Sequence, residues 1–512
     1  MAIVETQYGK IEGFDADGLN VFLGIRYAAS PVKEKRWAPP SNPAPWTGIL
    51  SCNEWSTQSW QPIVEDLGPL EFSMSPGAGA NRSEDCLFLN IWTPGLDQRK
   101  RPVMVWIHGG GFEGGTAGTP MHDGASLARR GDVVVVTINY RLGTLGFLNL
   151  NEVTNGRIPS TGNEGLLDQI KALEWVQNNI DRFGGDPNKV TLFGESAGAM
   201  SIGTLLAMEA AKGLFHQAIL QSGACSTALT KTRAAEAAEL VLEHAGVGAR
   251  ADTDALLSLD PQVLMDAGRA ASTQLGGAMI FQPCIDGKHL SDMPLERVKA
   301  GSADGIPLLV GATRDEWRLF TTMGGFPVEF DGKLLETVLS ARISDPAKVI
   351  SAYREARVAR GQGVTHLDLF AAIETDRVFR VPGIRLSEAM AERGQDAFQF
   401  LFTWESPWGD GALGSPHGID IGFVFGNHSF SESSSQFFGR GPEADKLAHL
   451  VQDAWLGFAH RGVPSGAIRG WDPYRTDGRL TAKLGESIEV ESDPFSEGRA
   501  IWDTVDAQLG AL

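Results

Sequence analysis

Val190-Thr191-Leu192-Phe193-Gly194-Glu195-Ser196-Ala197-Gly198-Ala199-Met200 is the stretch on which the reading of this chain turns. It passes from an apolar, β-branched run through Gly-x-Ser-x-Gly into a helical pattern, which reads as strand, tight turn and helix. A serine at such a turn must take a strained backbone conformation. Gly194 and Gly198 leave room for the chain to reverse, so the hydroxyl is lifted clear of the sheet. The helix beginning after Ser196 aims unpaired N–H groups and its positive dipole end at the serine, favouring negative charge developing there. A chance match in a loop would lack both flanking elements.

Working outward, short apolar runs at 102–107, 133–138, 190–193, 216–221, 306–310 and 398–402 read as strands buried on both faces. Helical patterns at 164–183, 197–211 and 444–460 lie between several of them. The alternation predicts a mostly parallel sheet flanked by helices. At 512 residues the chain exceeds the size at which one core usually stops growing. No repeat or Pro/Gly-rich hinge divides it, so the expectation is one decorated α/β domain over 1–512. Two stretches break the rhythm: 55–82, rich in Pro, Gly and Ser, and 320–394, mainly helical. Both are expected to shape the binding site.

Upstream of the nucleophile, a strand opens into His108-Gly109-Gly110-Gly111-Phe112-Glu113-Gly114-Gly115. Glycine runs of this His-Gly-Gly-Gly type supply backbone N–H groups to an oxyanion. Gly110 and Gly111, with Ala197 just after the serine, are the candidate donors. Gly109-x-Gly111-x-x-Gly114 also satisfies the dinucleotide-binding pattern, but Thr116-Ala117-Gly118-Thr119-Pro120 interrupts the helix a pyrophosphate needs. Neither an HExxH motif nor a phosphate loop occurs, and no cofactor is expected.

The chain order Ser…Asp/Glu…His restricts the base to histidines after Ser196. That leaves His216, His244, His289, His366, His417, His428, His449 and His460, among which motif logic alone does not choose; His244, His449 and His460 fall in helical patterns and His216 in a strand. His417 lies in the turn Gly414-Ser415-Pro416-His417-Gly418 after a late strand, where such sheets present functional groups. For the acid, Asp315 and Glu316 both follow the strand at 306–310, and physics does not separate them.

The formal charge of −19 repels phosphate backbones and anionic lipid, which argues against nucleic acid as a partner. The first residues lack a basic start, an apolar run and a cleavage site, and no apolar stretch approaches the roughly 18 to 20 residues of a membrane span. The expectation is a cytoplasmic bacterial protein. Four cysteines, Cys52, Cys86, Cys225 and Cys284, match neither a zinc site nor a disulfide scaffold and read as buried thiols.

With these residues in view, the chain resembles the type-B carboxylesterases, the family of cholinesterases and bacterial p-nitrobenzyl esterases. The likeness is carried by Ser83-Glu84-Asp85-Cys86-Leu87-Phe88-Leu89-Asn90, Gly109 to Gly111, Asn139-Tyr140-Arg141-Leu142-Gly143, Gly162 to Gln169, Phe193 to Gly198, Gln221-Ser222-Gly223, Asp315-Glu316 and His417-Gly418-Ile419-Asp420. It implies the α/β-hydrolase fold and a triad of Ser196, His417 and Glu316, the second carboxylate of its pair. It further implies structural ion pairs at Glu84, Arg141 and Asp168. Glu195 and Asp420 are implied either to tune the site electrostatically or to anchor buried hydrogen bonds.

Three departures from the family pattern stand out. No Trp lies between Trp60 and Trp92, where cholinesterases carry the aromatic that binds a quaternary ammonium, so a choline ester is not the expected substrate. Ser59 stands where the family's disulfide partner of Cys86 would be, with Cys52 offset, which fits a reducing compartment. Arg26 replaces the proline of Gly-Ile-Pro-Tyr-Ala.

The expected function is hydrolysis of small to medium neutral carboxylic esters through an acyl-enzyme, with the ester and water as partners. The same machinery could serve an amide, carbamate or lactone, since pocket walls set specificity. A non-catalytic binding relative would typically have lost the nucleophile. Phe112, Glu113, Leu319, Phe320 and Phe423 neighbour the motifs and are the pocket candidates, with plain core packing as the alternative.

Overall fold

The computed structural model describes residues 2–62, 81–248, 252–276, 279–323, 330–464 and 468–510. Among them fifteen strands occur in chain order: β1 (Ala2–Glu5), β2 (Lys10–Ala16), β3 (Leu19–Arg26), β4 (Ile49–Ser51), β5 (Phe88–Thr93), β6 (Arg101–Ile107), β7 (Val134–Ile138), β8 (Gly185–Glu195), β9 (Gln217–Gln221), β10 (Leu229–Thr230), β11 (Cys284–Ile285), β12 (Leu308–Thr313), β13 (Ala397–Phe402), β14 (Leu480–Leu484) and β15 (Ile488–Ser492). The main sheet runs β1-β2-β3-β5-β7-β6-β8-β9-β12-β13-β14-β15, with β4 beside β2. From β7 to β14 every pairing is parallel. The two margins are antiparallel, apart from the short β4, which runs parallel to β2.

The central strands β6 and β7 are almost wholly apolar because both faces are covered. All residues of β6 and β7 are buried. Side chains alternate between faces along a strand: Val103, Val105 and Ile107 of β6 join one core, while Met104 and Trp106 join the other. Helix α1 (Glu164–Asn179) and α2 (Ala197–Leu205) cover the first face with Leu166, Ile170, Val176, Met200 and Ile202. The helix Pro442–Arg461 covers the second with Leu447, Val451, Trp455 and Phe458. This is the mostly parallel, helix-flanked sheet expected of an α/β hydrolase.

Boundaries moved where chain geometry overrode pattern. The expected helix at 197–211 ends at Leu205, with a 3-10 turn following at Glu209–Ala211. The expected strand at 306–310 is displaced to Leu308–Thr313. The antiparallel margins were not anticipated, because β2 (Lys-Ile-Glu-Gly-Phe-Asp-Ala) buries only part of its surface and mixes polar with apolar residues. Of the stretch 55–82, residues 63–80 lie outside those described. The described part of 320–394 is helical as expected and includes a π-helical turn at Thr375–Arg380.

The ion-pair residues find partners. Glu84 meets Arg36 through two bonds of 2.5 and 2.6 Å. Arg141 and Asp168, exposed by 2% and 0% at the side chain, are joined by two 2.7 Å bonds. Arg26 grips Asp85 at 2.6 and 2.8 Å and lies over the Phe88 ring, which gives this departure a structural role at the end of β3. All four cysteines are buried free thiols. Cys86 touches Ser59, and burial pushes its thiol up to about 12.

Candidate active site

The site is assembled at the carboxyl ends of four parallel neighbours, β8, β9, β12 and β13, where the chain leaves each strand. Ser196 follows β8 and stands at the N-terminus of α2 with φ 54° and ψ −126°, a region costly for any residue with a Cβ. Its N–H donates to the Gln221 carbonyl of β9 at 2.9 Å, which fixes the turn. Gly198 is needed for the same reason. A Cβ there would fall 2.0 Å from the Ile107 carbonyl oxygen of β6.

Glu316 lies three residues beyond β12 and is fully buried. One of its oxygens accepts from Ser222 Oγ and from the Thr313 N–H, both at 2.6 Å. The other lies 2.6 Å from His417 Nδ1. His417 comes from the loop after β13, and because β12 and β13 pair in register from Leu308↔Ala397 to Thr313↔Phe402, the two loops start side by side. The imidazole packs against Phe379 and Phe320, with ring centroids 4.7 and 5.1 Å away. Asp315, the neighbour the sequence could not separate, turns elsewhere: it pairs with Arg314 and accepts from the Ser415 N–H.

The glycine run passes directly against the serine, since a Cβ on Gly109 would lie 3.0 Å from Ser196 Cβ. Gly110 has φ +106°, and a side chain there would strike the Gly114 carbonyl at 2.3 Å. Among the described residues, no acceptor takes the N–H of Gly110, Gly111 or Ala197. The segment 139–143 braces this run. Tyr140 donates to the His108 carbonyl at 2.8 Å, Gly143 N–H to the Phe112 carbonyl at 2.7 Å, and Ala117 N–H to Asn139 Oδ1 at 2.7 Å.

Two further carboxyls surround the histidine. Glu195 Oε1 stands 3.0 Å from His417 Nε2, close but without the alignment of a hydrogen bond. Burial pushes Glu195 up to about 8, with His417 opposing and Asp420 and Glu316 adding to the rise. Asp420 accepts from Gln221 at 2.8 Å, yet burial holds it up at about 6. Burial pulls the His417 imidazolium down, but the carboxylates of Glu195 and Glu316 outweigh it and hold the ring up at about 9. No hydrogen bond joins Ser196 Oγ to the His417 ring in this structure.

The pocket candidates divide. Phe320 touches His417. Glu113 lines a small pocket with Thr144, Met265, Arg269 and Phe281, where burial pushes its carboxyl up to about 7. Phe112, Leu319 and Phe423 pack within the core: they are 0%, 1% and 0% exposed. Phe112 stacks edge-on against Phe147, and Phe423 sits among Phe402, Trp404, His428 and Phe438. Adjacency in sequence does not fix the direction of a side chain. Conversely, Ser222 and Phe379 went unassigned. Ser222 carried a signal in the Gln-Ser-Gly ending of a strand, whereas Phe379 is brought in by the π-helical turn, which no local pattern announced.

A serine on a strand–turn–helix, a buried carboxylate–imidazole pair and amides without an acceptor beside the serine thus lie together at one end of an α/β-hydrolase sheet. The chain matches the carboxylesterase family over residues 1–502 and belongs to it; it is a carboxylic ester hydrolase. The para-nitrobenzyl esterase of Bacillus subtilis is 37% identical over 504 residues, 97% of each chain. The fumonisin B1 esterase of Sphingopyxis macrogoltabida is 36% identical over 93% of this chain and 85% of its own. A carboxylesterase of Geobacillus stearothermophilus has the same fold at 37% identity, with a TM-score of 0.87 over 98% of this chain and 99% of its own. Among the described residues no helix is long and apolar enough to cross a membrane.

Proposed function

We propose that the protein hydrolyses small to medium neutral carboxylic esters through a Ser196–His417–Glu316 triad and an acyl-enzyme. The observation that carries this reading is the 2.6 Å contact between His417 Nδ1 and Glu316 beside a serine held at φ 54°. Glu316 holds the tautomer whose Nε2 accepts the Ser196 proton as Oγ attacks the ester carbonyl. The amides of Gly110, Gly111 and Ala197 donate to the oxyanion, each such donor typically contributing about 3 to 4 kcal/mol. His417 then gives its proton to the departing alcohol, and water, activated by the same ring, releases the acid. No metal or organic cofactor enters these steps.

Incubation with a fluorophosphonate, intact mass and peptide mapping test the nucleophile, while p-nitrophenyl esters of increasing acyl length test the substrate range. One adduct on Ser196 with ester turnover is expected; an adduct elsewhere, or turnover that survives full labelling, overturns the assignment.

The carboxylates around His417 set a pH dependence. The working base is the neutral ring, and nearby negative charge stabilises the imidazolium, so kcat/KM falls as pH drops through a pKa raised above the usual histidine value. Glu195→Gln removes one such charge. Its acid limb is expected to move to lower pH by roughly one to two units, read from the kcat/KM profile between pH 5 and pH 10. A limb that stays put shows that Glu195 does not act on the ring.

A further inference from the structure

A second polar pocket, which Ser196, Glu316 and His417 do not line, has a volume of about 50 Å³, room for a few waters or one small polyatomic ion. Arg314, Arg318, Arg357, Arg360 and Arg380 all line it, in a chain whose overall charge is −19. Four of these guanidinium groups are matched. Arg380 holds Asp376 through two bonds of 2.6 and 2.7 Å, and Arg314 meets Asp315 and Glu405 at 2.8 and 2.7 Å. Arg318 reaches Asp368 at 3.3 Å, and Arg360 reaches Glu497 at 2.5 Å.

Arg357 differs. Its residue is only 8% exposed, and Nε donates to the Gly363 carbonyl at 2.7 Å. Among the described residues its two terminal nitrogens have no hydrogen-bond acceptor, and no carboxylate forms an ion pair with it. Burial pulls this guanidinium below its ordinary value, with Asp368 and Asp315 opposing and Arg318 and Arg360 adding to the fall. Its terminal nitrogens are not among the sealed, unpartnered polar atoms, so they face the pocket's solvent, with Asp368 and Asp315 of the same wall as the opposing charges. The planar fork of an arginine is complementary to two oxygens of one anion.

We infer that this pocket binds a small oxyanion, held by the terminal nitrogens of Arg357 with Arg318 and Arg360 beside it. The size admits inorganic phosphate or a short carboxylate. The wall such an ion would brace includes Thr375, Asp376 and Arg380, from the π-helical turn that also carries Phe379 to His417.

The test is calorimetric titration of the full-length protein with sodium phosphate and, separately, sodium acetate, against sodium chloride at matched ionic strength, with melting curves in parallel. Saturable binding and a raised melting temperature are expected for at least one oxyanion and not for chloride; which one binds identifies the preferred geometry. Arg357→Gln should weaken that binding at least about tenfold, the loss of a charge-assisted bond, and Arg357→Lys should restore part of it. Should Arg357→Gln fail to fold, Arg360→Gln reads the same site from its more exposed edge and should weaken binding severalfold. Arg440→Gln, at a surface pair with Glu432, should change nothing. No saturable oxyanion binding by the wild-type protein, or binding undiminished in Arg357→Gln and Arg360→Gln, overturns the inference.

Discussion

Ser196→Ala is expected to lower kcat for a p-nitrophenyl ester by about 10⁴- to 10⁶-fold, the range seen when the nucleophile of such a triad is removed, while leaving the protein folded. On the proposed mechanism the loss is large because Oγ forms the covalent bond and the rest of the site only assists that step. Residual hydrolysis above the water rate should persist, since the amides of Gly110, Gly111 and Ala197 still stabilise an oxyanion formed by attacking water. Alanine keeps the Cβ, so the backbone strain at φ 54° stays. Ser196→Gly removes it and is expected to melt above Ser196→Ala while being equally inactive, because glycine occupies such a conformation readily. Steady-state rates and melting temperatures of both variants check the pair of statements. An active alanine variant sinks the triad, and a glycine variant that melts lower sinks the account of strain.

Asp168→Asn is the largest expected loss of stability, about 3 to 5 kcal/mol, because it leaves the guanidinium of Arg141 buried without its counter-charge. The wild-type pair is almost wholly removed from water, and Asp168 accepts three bonds from Arg141, one of them from its backbone N–H at 3.1 Å. The effect should reach the site as well, since Arg141 belongs to the segment whose Tyr140 and Gly143 hold the glycine run. Asp85→Asn supplies the contrast. It breaks the pair with Arg26, whose side chains are 30% and 34% exposed, and pairs of that kind contribute about 0 to 1 kcal/mol. Urea midpoints of the two variants decide the matter; equal shifts would show that burial does not govern these bridges.

Much of the molecule was legible before any coordinate. Val103 to Ile107 is apolar without interruption and Val134 to Ile138 is apolar but for the buried Thr137, a composition that a strand carries when helices cover both of its faces. The strand–turn–helix at Ser196 was readable because its glycines answer a local steric demand: at Gly198 a Cβ has no room against the Ile107 carbonyl. Polar marginal strands such as β2 were missed because half-exposed edges do not present a continuous apolar run. The choice of Glu316 over Asp315 came from family likeness; in the structure Glu316 turns to His417 and Ser222, Asp315 to Arg314 and the Ser415 amide.

The sequence by itself determined the parallel-rich sheet, the elbow that presents Ser196 and the glycine run beside it, because each depends on residues within a few positions of one another. Tertiary structure alone decided the rest of the site. Glu316 and His417 are 101 residues apart, and they meet because β12 and β13 are parallel neighbours in register. Ser222 meets Glu316 because β9 is the other neighbour of β12, its end fixed by Ser222 N–H donating to the Gly311 carbonyl. The direction of a side chain was likewise settled by packing, which sent Phe112, Leu319 and Phe423 into the core and brought Phe379 to the histidine. Periodicity marks which residues want burial, but strand order and loop landing points decide which of them share a site.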